Sequence, residues 1–126
     1  MIILGVVVHG QSLGRRLGFP TANITIDGDL EVENGVYRSS VVVDGCRYMA
    51  ISNIGVKPTV GGLHRALESH ILDFEGDLYG RFIEVDLIEK LRDEIHFESV
   101  DALREQVLKD IEEIKKLKNK EIKRCT

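Results

Sequence analysis

The sequence predicts a mainly β protein: a closed antiparallel barrel followed by one long helix. Three observations predict it. Six runs rich in β-branched and alternating residues occupy the first three quarters of the chain, with Gly-, Asp- or Asn-containing breaks between them. Asp44-Gly45, flanked by Val36–Val43 and Arg47–Ile54, is a strong two-residue hairpin signal. The last quarter then changes period, with Val100, Leu103, Val107, Ile111, Ile114 and Leu117 at steps of three and four.

Each element follows from its residues. Ile2–Val8 is a β-branched run and reads as a buried strand. His9–Pro20 carries three glycines and two arginines and is too long for a hairpin turn, so it reads as a loop. Thr21–Ile26 is a short strand, broken by Asp27-Gly28-Asp29; Asn34-Gly35 is a further turn signal. After the central hairpin, Val56–His64 holds Pro58 and Gly61-Gly62 and reads as another loop. Ala66–Asp73 alternates, with Leu67, Ser69 and Ile71 on one side and Glu68, His70 and Leu72 on the other. Arg81–Leu91 is a long strand whose alternation slips at Leu87-Ile88, the mark of a bulge. Ser99 suits a helix N-cap and Asp101 the first turn, which starts a helix over about residues 99–122. Its stripe packs either on the barrel's outside or across an open end. The chain is read as one domain, 1–126, with the barrel over about residues 1–97.

Bulk properties narrow the function. The chain has 126 residues, 43% of them hydrophobic and 30% charged, which suits one packed globular domain. It has no Trp, four Phe and three Tyr, so aliphatic residues must build the core. The net charge of −4 argues against a nucleic-acid partner. Six cations against one acid from Lys115 onward leave the rest more acidic still, and a basic stretch this short reads as a solvated helix end. No segment reaches transmembrane length, and the apolar opening MIILGVVV lacks the flanks of a signal peptide. Cys46 and Cys125 have no metal-ligand spacing and are expected as free thiols, which places the protein in a reducing cytoplasm.

Four stretches could carry chemistry. The glycine-rich loop with Arg15 and Arg16 could cradle an anion, but it lacks the G-x-x-x-x-G-K-[ST] spacing of a P-loop. Thr21 and Asn23 share a strand face, and their oxygens are hard donors of the kind Mg²⁺ accepts. The same pair also reads as a polar strand start facing water. Glu68 and His70 share a face, and a carboxylate in a barrel mouth could act as a general base; an exposed cross-strand pair has the same spacing. Arg92 and Phe97 could clamp a planar ligand, or simply precede and pack under the helix.

The order of these stretches is more specific than any one of them. G-x-V-V-x-G from Gly5, GRRLGFPTAN from Gly14, G-V-Y from Gly35, N-I-G-x-x-P-T-x-G-G from Asn53, LESHILDF-x-GDLYG from Leu67 and L-R-D-E-x-x-F-x-S from Leu91 follow one another. This series resembles the ATP-dependent riboflavin kinases, in particular the kinase module of bacterial bifunctional FAD synthetases, from Leu4 to about Ile114.

The resemblance implies a six-stranded antiparallel Greek-key barrel with a C-terminal helix. It implies transfer of the γ-phosphoryl of ATP to the 5′-hydroxyl of riboflavin, giving FMN and ADP. Carried onto this chain, Thr21 and Asn23 would hold Mg²⁺ and the nucleotide phosphates, and Glu68 would be the catalytic base. Gly10, Arg15 and Gly18 would lie over ATP, and Ile71, Asp73 and Tyr79 would line its site. Arg92 and Phe97 would close on the flavin. The chain begins almost on its first strand, so no room is expected for an adenylyltransferase domain, and FMN rather than FAD is the expected product. A monomer is expected. The competing readings are a flavin- or nucleotide-binding barrel without turnover, and a barrel whose helix docks a protein partner.

Overall fold

The computed structural model describes residues 1–8, 21–27, 29–59, 62–74, 76–94, 100–117 and 124–125. Six strands build the barrel: β1 (Ile2–Val6), β2 (Thr21–Thr25), β3 (Gly35–Val43), β4 (Cys46–Thr59), β5 (Gly62–Ile71) and β6 (Phe82–Arg92). Helix α1 (Val100–Leu117) and a two-residue strand, β7 (Arg124–Cys125), follow. The strand order is β1-β6-β3-β4-β5-β2, every pair antiparallel. Three consecutive strands, β3, β4 and β5, lie side by side and β6 returns to lie beside β3, which is the Greek-key arrangement. The expected fold class is the one observed.

Closure depends on small details at the seam between β1 and β2. Val8 N donates to the Asn23 carbonyl at 2.8 Å, forming an isolated bridge just beyond β1. Gly5 allows the two strands to approach: a Cβ there would stand 2.5 Å from Ile24 Cγ2. That single bridge leaves the barrel nearly closed, with β1 and β2 joined at one point rather than by a ladder.

Alternation sorts the side chains into two faces. The inner face of the barrel holds Ile3, Ala22, Ile24, Val41, Ile54, Leu67, Ile71, Ile83 and Val85, all buried. Polar groups on this face are satisfied internally. Ser39, Ser52 and Ser69 are fully buried, and their hydroxyls form a chain with 2.7 Å at each link. The outer face carries a second, smaller cluster of Val36, Met49, Ile51 and Leu72, with Leu91 and Ile111 packed on it. Ile111 belongs to α1, so the helix lies on the barrel's outside, one of the two expected placements.

The hairpin at Asp44-Gly45 forms as expected, with both residues at positive φ, 51° and 78°, and Val43 opposite Cys46. The expected bulge is also present: Arg38 pairs Glu89 while Ser39 pairs Leu87, which leaves Ile88 as the extra residue. The loop expected at Val56–His64 is instead the continuation of one hairpin, because β4 runs to Thr59 and pairs β5 as far as Thr59–Gly62. Pro58 is tolerated because β3 leaves β4 after Ile54, so among the described residues one side of the strand has no ladder partner there.

The described part of the helix runs from Val100 to Leu117; the expected continuation to about residue 122 lies outside the described residues. The expectation of free thiols is overturned: Cys46 is disulfide-bonded and no cysteine is free. The physical reason is topological. The C-terminal segment returns antiparallel along the start of β4 and sets Cys125 opposite Cys46. A reducing compartment therefore no longer follows from the cysteines. Among the described residues no helix is long and apolar enough to cross a membrane.

Candidate active site

The outer face beside α1 carries two polar rows, fixed by strand register. One runs Asn23–Glu68–Asn53–Val36–Arg92 across β2, β5, β4, β3 and β6. The next runs Thr21–His70–Ile51–Arg38–Glu89 across the same strands. Thr21, Asn23, Glu68 and His70 thus form a tight group on two adjacent strands, about 4.8 Å apart. Glu68 stands on the outer face of the sheet rather than in the barrel mouth, the place the sequence reading considers for it. The correction follows from parity: Leu67, Ser69 and Ile71 take the interior, so Glu68 and His70 must face out.

The group is only partly open to water. The Glu68 side chain is 14% exposed and that of His70 11%, and Glu68 Oε1 lies 3.8 Å from His70 Nε2. Thr21 and Asn23 are half-buried. The backbone carbonyl of Asn23 is already used by the Val8 bridge, so its position is set by barrel closure and its side chain is left for other work.

Arg92 lies at the far end of the first row, about 14 Å of sheet from Glu68. Its Nη2 donates to Asp110 Oδ2 at 2.8 Å, and Asp110 is buried on α1, where Gln106 Nε2 also donates to it at 3.0 Å. This pair ties β6 to the helix. Immediately beyond, Lys90 is held between Asp93 and Glu33, each at 2.7 Å. The hydrogen bond to Asp93, then that to Glu33, raises the Lys90 ammonium above its ordinary range, and the same contact with Lys90 lowers Asp93. Glu94 then turns back over the sheet, its carboxylate occupying the space that a Cβ on Gly55 would fill.

The remaining candidates are scattered. The Ile71 side chain points into the core at 2% exposure, on the opposite face from Glu68, so only its backbone is available to a ligand on the outer face. Asp73 follows β5 in a left-handed conformation with φ 58°, and its side chain is exposed. Tyr79 is also exposed, its backbone N–H donating to Asp77 Oδ1 at 2.9 Å. Gly10, Arg15, Gly18 and Phe97 lie outside the described residues. Asn53, Asp110 and Glu94 were not singled out from sequence. Asn53 could have been found by extending the alternation of β4 through the N-I-G motif; Asp110 and Glu94 carry no local signal, since both act on distant strands.

Comparison with known proteins agrees with the resemblance in the motifs. The riboflavin kinase family model matches residues 1–118. A bifunctional riboflavin kinase/FMN adenylyltransferase from Haemophilus influenzae is 42% identical over 114 residues, covering 90% of this chain and 37% of that protein. The RNA-binding riboflavin kinase RibR of Bacillus subtilis is 46% identical over 112 residues, covering 87% and 48%. Among solved structures, a Streptococcus pneumoniae protein described as a macrolide-efflux protein superposes with TM-score 0.80 at 35% identity, over 90% of this chain and 38% of that one. Riboflavin kinase from Trypanosoma brucei superposes with TM-score 0.68 at 25% identity, over 95% and 78%. The chain thus spans between about a third and a half of the curated relatives' length. With the family model matched along nearly its whole length, the chain belongs to the riboflavin kinase family.

Proposed function

We propose that this chain is an ATP-dependent riboflavin kinase that moves the γ-phosphoryl of ATP to the 5′-hydroxyl of riboflavin, releasing ADP and FMN. The observation that carries the reading is the pairing of Asn23 with Glu68, and of Thr21 with His70, on adjacent strands of one face. It puts two hard oxygen donors and a carboxylate within reach of one reacting centre.

Phosphoryl transfer asks the protein mainly for in-line positioning and for charge stabilisation. Glu68 accepts the 5′-hydroxyl proton as the new oxygen–phosphorus bond forms and the bond to the ADP oxygen breaks. His70, 3.8 Å from the carboxylate, orients it. The hydroxyl of Thr21 and the amide oxygen of Asn23 would hold a divalent cation. Their chemistry and half-buried position suit Mg²⁺, whose remaining ligands are usually waters and phosphate oxygens. When bound, such an ion neutralises phosphate charge. Gly10, Arg15 and Gly18 would cover ATP, and the Ile71 backbone, Asp73 and Tyr79 would border it. Arg92 and Phe97 would border the flavin, placing the two substrates at opposite ends of the row that has Glu68 between them.

The test is FMN formation from riboflavin, ATP and Mg²⁺, separated by chromatography, with and without EDTA. FMN that appears only with the metal supports the reading. Riboflavin binding without turnover leaves a binding module, and neither binding nor turnover removes both.

A further inference from the structure

Asn53 occupies a place in the row that the functional reading leaves unused. It lies opposite Glu68 on β4, on the side away from Asn23 and toward Arg92. Its Oδ1 is buried and has no hydrogen-bond partner among the described residues. Leaving a buried carbonyl without a donor is costly, and native proteins rarely keep such a group without a use. The neighbours in the row are apolar on one side, at Val36, and acidic on the other, at Glu68. Neither can donate to a carbonyl oxygen when Glu68 is ionised.

We infer that Asn53 Oδ1 is a binding group for the acceptor, taking a hydrogen bond from a hydroxyl of the polyol chain of riboflavin. The inference rests on the kinase reading above and deepens it. Three features select this ligand. An acceptor atom needs a donor, and a polyol chain offers several. The position is next to the base, where the hydroxyl-bearing end of the acceptor must lie. It is on the Arg92 side of the base, away from Thr21 and Asn23, so it faces the flavin's approach rather than the nucleotide's. The Glu94 carboxylate rests over Gly55, two residues along the same face. Glu94 gives way as the chain enters, which lets a buried oxygen meet a substrate.

The experiment compares wild type with Asn53→Leu, which keeps the branched outline without the amide, and Asn53→Ser, which keeps a small acceptor and should show the smaller rise in riboflavin KM. The expected result for Asn53→Leu is a riboflavin KM about 3- to 10-fold higher, the worth of one neutral hydrogen bond. The KM for ATP stays within about 2-fold. The urea midpoint of the unliganded protein is unchanged or raised, because an unsatisfied group has been removed. Inhibition by lumiflavin, which has the ring without the polyol, is unchanged. If lumiflavin inhibits neither protein, the affinity resides in the chain and the riboflavin KM decides alone. An unchanged riboflavin KM overturns the inference. So does an equal loss for lumiflavin, a parallel rise in the KM for ATP, or failure of both variants to fold, which would make Asn53 structural. Wild type that makes no FMN sinks the kinase reading itself, whereas wild type that makes FMN beside an unaltered variant sinks only this inference.

Discussion

At the scale of single residues, the outer face works because neighbouring strands present different chemistry at one level. Glu68 has Asn23 on one side and Asn53 on the other, and His70 one step along its own strand. Glu68→Gln keeps the shape and removes the proposed base. It should lower kcat about 10²- to 10³-fold in steady-state assays while the KM for ATP stays nearly constant. Normal turnover would remove Glu68 from the proton-transfer role. Asn23→Ala should instead raise the concentration of Mg²⁺ needed for half-maximal rate; an unchanged metal titration would refute the ligand assignment. Both effects should be local, since the Asn23 backbone carbonyl still meets Val8 N in the variant. The pairing of Thr21 and Asn23 on one face was legible from their spacing of two. Which residues faced them was not, because register across strands comes from turns and pairing far apart in sequence.

At the scale of elements, the chain's local signals held where structure is local and failed where it is not. The positive-φ hairpin at Asp44-Gly45 and the slip at Ile88 were both visible in a few residues. Pro58 and Gly62 read as a loop because their strand context depends on β3 leaving β4 at Ile54, a fact no window of sequence contains. The helix stripe was legible, but its docking was not. Docking depends on Asp110, a buried carboxylate in an otherwise apolar seam, meeting Arg92 from β6. Asp110→Ala should therefore lower stability by about 1–3 kcal/mol, read as a lower urea midpoint, because it leaves the partly buried Arg92 guanidinium short of its charged partner. Arg92→Lys should recover little of the wild-type stability in the presence of Asp110, since an ammonium cannot contact both carboxylate oxygens as the planar guanidinium does. A midpoint equal to wild type in Asp110→Ala would mean that the helix is held by its apolar stripe alone.

At the scale of the whole molecule, the β2–β5 ladder assembles the candidate group, and the closing seam of the barrel fastens its outer strand. Asn23 is at once a proposed metal ligand and the seam residue, its carbonyl bridged to Val8 while its side chain faces out beside Glu68. The seam in turn depends on Gly5, which opens the G-x-V-V-x-G motif but gives no local sign of its packing role, and which sits against Ile24 in the finished barrel. Ile24 is buried at 2% exposure and cannot swing aside. Gly5→Ala should thus strain the seam, costing about 1–3 kcal/mol as overpacked cores do. The strain should appear in function as well as stability, because moving β2 moves Thr21 and Asn23 away from Glu68. The expected signature is a lower urea midpoint together with a higher Mg²⁺ concentration for half-maximal rate, and a riboflavin KM that changes less than that of Asn53→Leu. The opposite pattern, with flavin affinity lost and metal dependence kept, would show that the seam supports the acceptor end of the row instead.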